Sequence, residues 1–429
     1  MNTLLNFNET NFQPRIGFAY KLFNKTVIRG GYGIYTNLIY APLIRGAMLG
    51  GPFSGSVTYI NAITGGVPLF SFPHPFLTSG TTSTQNVNGI NPNLKDPYTQ
   101  QWQLSVEHQI GGVGLRVSYL GAESDQLIYR RNLNQPAPST TPFSTSERRY
   151  PIYNQVIYSD SGGNDSYNGL EISVQKKYGQ NFSFDSGWTW AKDLTNTQDS
   201  GGGGTSFGGQ VIQNQFDRAA EKANNALTVP QRVFTYALYT LPVGQGQHFL
   251  SGISKPVQEV IGGWRTTWTV TAQSGQWFTP SFSGFDPSNT ATFGGRPDRI
   301  GNGNLPSGER SINSWFNAAA FKIPGCPNTT PICQTPANLG RFGDSGYNIL
   351  SGPPVFNLDF GLTKNFSLGE HVRLEFIATM ADALNHPNFP TPRSNISATG
   401  TVATISSTRN PLFGEVATRE IDLGLRLMF

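Results

Sequence analysis

The stretch Glu420-Ile421-Asp422-Leu423-Gly424-Leu425-Arg426-Leu427-Met428-Phe429 decides how this chain is read. Ile421, Leu423, Leu425, Leu427 and Phe429 are apolar, and Asp422, Gly424 and Arg426 lie between them. Successive side chains of a strand point to opposite faces, so a period of two gives one greasy face and one polar face. Soluble domains usually fray into polar residues at their ends. Here the pattern runs unbroken to an aromatic residue.

The same alternation recurs along the chain. Phe12, Ile16, Phe18 and Tyr20 oppose Gln13, Arg15, Gly17 and Lys21, and Ile28, Tyr32 and Ile34 follow an Asn24-Lys25 turn. Tyr98, Trp102, Leu104, Val106 and Ile110 alternate with Thr99, Gln101, Gln103, Ser105, Glu107 and Gln109. Leu115, Val117 and Tyr119 come after Gly111-Gly112. Further segments are centred on Ile172, Phe184, Trp268, Phe360 and Phe376, and residues 230–241 read as a strand of undetermined facing. With the terminal segment this gives about eleven strands of about ten to fourteen residues each, where soluble strands average about five or six. A tilted strand that crosses a bilayer needs about nine to eleven.

The connections alternate too. Tight turns fall around Asn24, Gly111, Gly179 and Gly369, and 242–262 is of moderate length. Long connections cover about 37–96, 124–165, 192–229, 276–353 and 383–417, the two-sided asymmetry of bacterial outer-membrane barrels. Tyr98, Trp102, Trp188, Trp190 and Trp264 sit near the ends of the apolar faces, where interfacial girdles belong. The expected fold is therefore all-β: an antiparallel transmembrane β-barrel portion with short periplasmic turns and long extracellular loops.

Composition agrees. Charged residues make up 13% of the chain, against roughly 25% in an average domain. Gly (49), Pro (29), Phe (29) and Tyr (16) are abundant, which suits many strands and turns. The net charge of +4 is scattered with no basic run longer than a pair, so nucleic acid is not an expected partner. No apolar stretch approaches the ~18–20 residues of a transmembrane helix. The N-terminal residues show no signal-peptide pattern.

Two resemblances extend this reading. Asp422, Gly424, Leu427 and Phe429 resemble the C-terminal signal by which the barrel-assembly machinery recognises outer-membrane proteins. A longer series then recurs in order: Asn91-Pro92 to Pro97-Tyr98 with Gln101-Trp102, Val117-Ser118-Tyr119-Leu120-Gly121, Tyr167-Asn168-Gly169-Leu170 and Trp190-Ala191-Lys192. It continues with Val229-Pro230-Gln231-Arg232, Tyr239-Thr240-Leu241-Pro242, Gly262-Gly263-Trp264, Gln273-Ser274-Gly275 and Gly295-Arg296-Pro297-Asp298. Trp315-Phe316-Asn317, Ala320-Phe321 and Asn385-His386-Pro387-Asn388-Phe389 complete it. Together they resemble the C-terminal half of TonB-dependent outer-membrane receptors, closest to the Oar-like subgroup whose chains carry a carboxypeptidase-regulatory-like domain. The resemblance implies residues 1–429 as the C-terminal portion of a 22-strand barrel, with plug, signal peptide and N-terminal domain absent from this stretch. It implies outer-membrane lipid as surroundings, the TonB complex as a partner through that missing N-terminal region, and uptake of a scarce extracellular oligosaccharide, peptide or ferric chelate.

No catalytic centre or cofactor is expected. His74, His108, His248, His371 and His386 are far apart, and the Gly201–Gly204 run lacks the Lys of a phosphate loop. Asp286, Asp298, Asn302 and Asn304 are weak candidates for Ca²⁺ because they lack EF-hand spacing. Cys326 and Cys333 form either a small disulfide loop or two free thiols. Arg130, Arg131, Arg148 and Arg149 lie in the expected 124–165 loop, where they would attract an anionic ligand or simply face water. Two other functions fit the same strands. A passive porin-like channel requires the first and last strands to pair. A secreted adhesin requires a second sheet over every apolar face.

Overall fold

The computed structural model describes residues 11–37, 63–64, 67–68, 85–179, 181–198, 210–369, 372–409 and 418–429. His74, His371 and the Gly201–Gly204 run lie outside them, as do parts of the 37–96 and 383–417 connections.

Eleven strands form one antiparallel meander in chain order. They are β1 (Arg15–Phe23), β2 (Thr26–Thr36), β3 (Tyr98–Ile110), β4 (Val113–Asn132), β5 (Val156–Gly179) and β6 (Phe182–Thr195). β7 (Gln231–Thr240), β8 (Trp264–Gln273), β9 (Val355–Ser367), β10 (Arg373–Ala381) and β11 (Glu420–Met428) complete the path. The helix α1 (Lys255–Ile261) interrupts the β7–β8 connection. No helix among the described residues is long and apolar enough to cross a membrane. β1 pairs with β2 and β11 with β10, so these two strands are the edges of the described sheet.

The register carries one apolar layer across the whole sheet. Leu104 faces Gly30 on one side and Tyr119 on the other, Tyr119 faces Leu170, and Leu170 faces Trp190. Further on, Trp268, Phe360, Met380 and Ile421 stand side by side. This face is open: Leu104 is 50% and Leu423 72% exposed. No second sheet covers it among the described residues, contrary to what a soluble sandwich requires. The opposite face carries polar ladders such as Arg29–Glu107–Arg116, with N–O distances of 3.3 and 3.0 Å. Two glycines on the apolar face have a steric reason. A Cβ on Gly30 would lie 2.3 Å from the Phe18 ring, and one on Gly121 2.2 Å from the Trp102 ring. The aromatic rings fold over these bare backbone positions and fill the layer.

β7 explains its own ambiguity. Val233, Thr235, Ala237 and Tyr239 stand beside Trp188, Ser186, Phe184 and Phe182 on the apolar face. Phe234, Tyr236 and Leu238 therefore point to the polar side. Apart from Arg232 at its start, both faces of this strand carry apolar residues, so a period of two barely orients it.

Two expectations need correction. The 124–165 stretch is largely strand: β4 runs 20 residues and β5 24, leaving only 133–155 as their connection. Their alternation is broken by a bulge between Ser124 and Leu127, where Gln126 takes φ +59°. The 276–353 connection is folded as well. Short pairs tie Trp277–Phe278 to Leu350–Ser351, Phe282–Ser283 to Gly294–Gly295 and Asp298–Arg299 to Phe321–Lys322. Between them Phe278, Phe316, Phe321, Ile323, Leu350 and Ile396 make a true apolar core. Phe321 and Ile323 are 1% and 0% exposed. Among the described residues, the apolar core thus sits in the loops.

Two substitutions test this arrangement. Leu104→Arg, on the open apolar face, should cost on the order of 2–4 kcal/mol in membrane-inserted protein, and Gln103→Arg on the polar face far less. Urea unfolding of the protein in lipid vesicles checks this. Phe321→Ala should cost about 3–5 kcal/mol locally. It should expose the 276–353 loop to protease while the wall stays intact.

Candidate ligand site in the outer loops

The sequence candidates do not converge on one site. Asp422, Gly424, Leu427 and Phe429 lie on or just beyond the edge strand β11, with Phe429 98% exposed. Cys326 and Cys333 are joined as a disulfide with a Cα–Cα separation of 5.6 Å; Cys326 belongs to the loop core and Cys333 packs against it. Asp286 accepts from the Ser288 hydroxyl and the Ala291 backbone N–H, and Asp298 receives both terminal nitrogens of Arg341 at 2.7 and 2.8 Å. Asn302 accepts from the Asn304 backbone N–H. These four therefore serve the loop's own geometry.

The four arginines separate. Arg130 and Arg131 belong to strand β4, not to a loop, and neighbouring strand positions point to opposite faces. Arg131 donates to Asp160 at 2.8 Å. Arg148 donates to Asn154 Oδ1 at 2.8 Å and stacks on Phe143, while Arg149 lies over Tyr150. Arg130 shares its face with Asn132 and Ile157, and burial lowers its guanidinium pKa.

Asn132 and Ile157 lead to a cavity of about 540 Å³ at the loop end. One wall is the tip of the β4–β5 hairpin with Asn132, Gln155 and Ile157. A second is Gln210–Gln213 with Glu221, and a third is Phe282, Thr292–Arg296 and Tyr347. Arg296 locks the second and third together. Its guanidinium donates to both Glu221 oxygens at 2.9 and 3.0 Å and to Ser345 O at 3.1 Å. The Arg296 and Glu221 side chains are 7% and 5% exposed, so this ion pair is desolvated and both its partners are needed. Gln213 Oε1 accepts from the Arg296 backbone N–H at 2.7 Å. Gly295 makes that approach feasible. Its φ is +141°, and a Cβ there would lie 2.7 Å from Gln213 Oε1. Gln135, 5% exposed, donates to Gln213 O and to the Thr292 hydroxyl from behind.

The lining is therefore mixed and close to neutral. Glu221 cancels Arg296, and the remaining groups are amides, hydroxyls, the aliphatic Ile157, Val211 and Ile212, and the rings of Phe282, Phe293 and Tyr347. Burial, reinforced by the Glu221 carboxylate, pushes the Tyr347 phenol up to about 12, so it stays a neutral donor at any physiological pH. The Gly295-Arg296-Pro297-Asp298 motif was the sequence signal for this region. Glu221, Gln135, Gln213 and Tyr347 carried none, because their partners lie far away in the chain.

Below the cavity a carboxylate pair fastens another loop segment to the wall. Burial first, then the Asp193 carboxylate, raise Asp165 from 3.8 to about 7. Asn225 donates to Asp165 Oδ2 at 3.3 Å, and its backbone N–H donates to Asp193 O at 3.0 Å. The Thr228 hydroxyl donates to Asp193 Oδ2. Asp193 Oδ1 is buried without a hydrogen bond, and a proton on Asp165 would satisfy it.

Two outcomes follow from these contacts. Glu221→Gln breaks a buried pair and should cost about 3–5 kcal/mol. It should release the 210–221 segment to protease. For Asp165 the folded pKa is raised, so its stabilising effect is full below about pH 4 and disappears as pH climbs to about 7. Amide exchange at Asn225, corrected for intrinsic rate, should quicken across that window. Asp165→Asn should flatten the dependence.

Comparison with known proteins places this geometry. A family model described as an outer membrane β-barrel domain matches residues 1–422. Comparison with curated protein sequences finds no match. Among solved structures, the outer-membrane transporter YddB from Escherichia coli is similar at 11% identity and a TM-score of 0.49, over 97% of this chain and 40% of its own. The iron transporter FrpB from Neisseria meningitidis is similar at 10% identity and 0.44, over 97% and 39%. The siderophore receptor PiuA from Acinetobacter baumannii is similar at 7% identity and 0.40, over 96% and 35%. This chain thus spans well under half the length of each. The apolar layer faces lipid, the short-turn end is periplasmic and the loop end extracellular, so the chain is a membrane barrel wall. The chain belongs to the outer membrane β-barrel domain family and resides in the bacterial outer membrane.

Proposed function

We propose that this chain is the C-terminal portion of the barrel of a TonB-dependent receptor, and that its outer-loop cavity captures a scarce ligand for energised uptake. The observation that carries this reading is the folded crown of loops. A passive pore gains nothing from an apolar core, a disulfide and a locked ion pair above its mouth, whereas a receptor needs a preorganised pocket. The two sheet edges, β1 and β11, support a wall completed by further strands of the parent chain. A plug and a TonB-contacting segment would belong to that parent, and Asp422, Gly424, Leu427 and Phe429 would present the wall to the assembly machinery.

The lining favours one ligand class. Amides and hydroxyls beside the exposed Phe293 ring suit an uncharged, hydrogen-bonding molecule such as an oligosaccharide or a short peptide. An anionic ferric chelate would want unpaired cations, and Arg296 is already neutralised. The porin-like alternative needs β1 and β11 to pair, and neither meets the other among the described residues.

Uptake of fluorescent oligosaccharides by cells carrying the full gene tests both halves of the reading. Accumulation should collapse when a protonophore discharges the inner membrane, and Tyr347→Phe should weaken it without loss of protein from the membrane. Accumulation indifferent to the protonophore would favour the porin.

A further inference from the structure

The periplasmic end of the wall is built from tight turns with one exception, the β7–β8 connection around α1. This segment is folded, not loose. Gln258 of α1 accepts from the Gln245 backbone N–H at 2.7 Å, and Phe249 and Pro242 are joined by a backbone hydrogen bond of 2.9 Å. Gly244 and Gly262 enclose the Gln258 amide so closely that a Cβ on either would lie 2.2 Å from it.

Its docking side is informative. Trp264 and Lys364 are register partners on the lipid-facing layer, together with Phe366 and Phe376. Trp264 Nε1 donates to Val260 O at 3.0 Å. The Lys364 ammonium donates to Gly262 O and lies 5.2 Å from the Trp264 ring and 5.0 Å from the Phe366 ring. Both anchors pull the end of α1 onto the outer surface of the wall, away from the lumen. Lys364 is itself only 2% exposed there, so its charge is spent on this attachment.

The helix of the segment is amphipathic, with the exposed Lys255 and Glu259 on one side and an apolar side opposite. Val257 and Val260, one helical turn apart, are 43% and 66% exposed, and Phe249 and Leu250 are 56% and 57% exposed. Leu250 holds φ +56°, a conformation that side-chain-bearing residues rarely adopt. An exposed leucine held in that conformation is a poor choice for a surface that meets only water.

We propose that residues 249–261 form a membrane foot, seated in the headgroup and acyl boundary of the inner leaflet of the outer membrane. The occupant of the apolar surface is phospholipid. Its continuity with the lipid-facing layer through Trp264, Lys364 and Phe366 supports that choice over a periplasmic protein. Trp264 marks the interface, as tryptophans do in barrel girdles. The foot extends that girdle sideways, and shallow amphipathic helices bind membranes in this way.

The test uses Val260→Cys carrying an environment-sensitive fluorophore, in outer membranes isolated from cells making the full chain. The native cysteines are already paired with each other. Ser307→Cys in the outer loops is the aqueous control. Lipid-borne doxyl quenchers should extinguish the Val260→Cys emission while aqueous iodide leaves it bright, and the control should behave oppositely. Val257→Cys should repeat the pattern. Quenching at Val260→Cys by iodide alone would overturn the proposal, since the foot would stand in water. Protection from both quenchers would also overturn it, since a protein would then cover the surface.

Discussion

Backbone hydrogen bonding is the constraint on which everything else in this molecule rests. Inside a bilayer an unpaired N–H or C=O costs several kcal/mol, so a strand that enters lipid must be paired along both edges. The uninterrupted meander from β1 to β11 meets this demand for every interior strand. Side chains are then free to differ between faces. The lipid face can be almost wholly apolar, and glycines can sit in it wherever a neighbouring ring closes the gap, as Phe18 does over Gly30 and Trp102 over Gly121.

Stability is divided accordingly. The wall is held by ladders and by its solvent, the membrane. The crown is held like a small soluble domain, around Phe316, Phe321, Ile323 and Ile396. The long hairpin of β4 and β5 joins the two, rising past the membrane to become one wall of the cavity. Contact order is high in the crown, because Arg296 meets Glu221 across 75 residues and Asn348 meets Gln198 across 150. Contacts of such long range are slow to form.

The wall was legible in the sequence because a period of two repeats it in every strand. The alternation of short and long connections gave the direction of each strand and the side on which ligand is met. Three things were hidden. The upward reach of β4 and β5 was masked by a bulge at Gln126 and by glycines at 162–163 that break the alternation. The crown has no period at all, since its core residues come from irregular backbone and meet only in three dimensions. The ion pair at the cavity joins residues whose separation no local pattern records. Arg130 and Arg131, adjacent in sequence, were separated for the opposite reason: nearness along a strand places neighbours on opposite faces.

β7 carries a consequence for how such a wall is made. Most strands here state their own orientation, because turning them over would bury charge in lipid. β7 does so only through Arg232 at its start, since Phe234, Tyr236 and Leu238 on one side are as greasy as Val233, Ala237 and Tyr239 on the other. Along the rest of the strand the flanking ladders, Trp188 and Phe184 on β6 and Trp268 on β8, fix which row meets the membrane. The inside and outside of this strand are thus a property of its neighbours more than of its own residues.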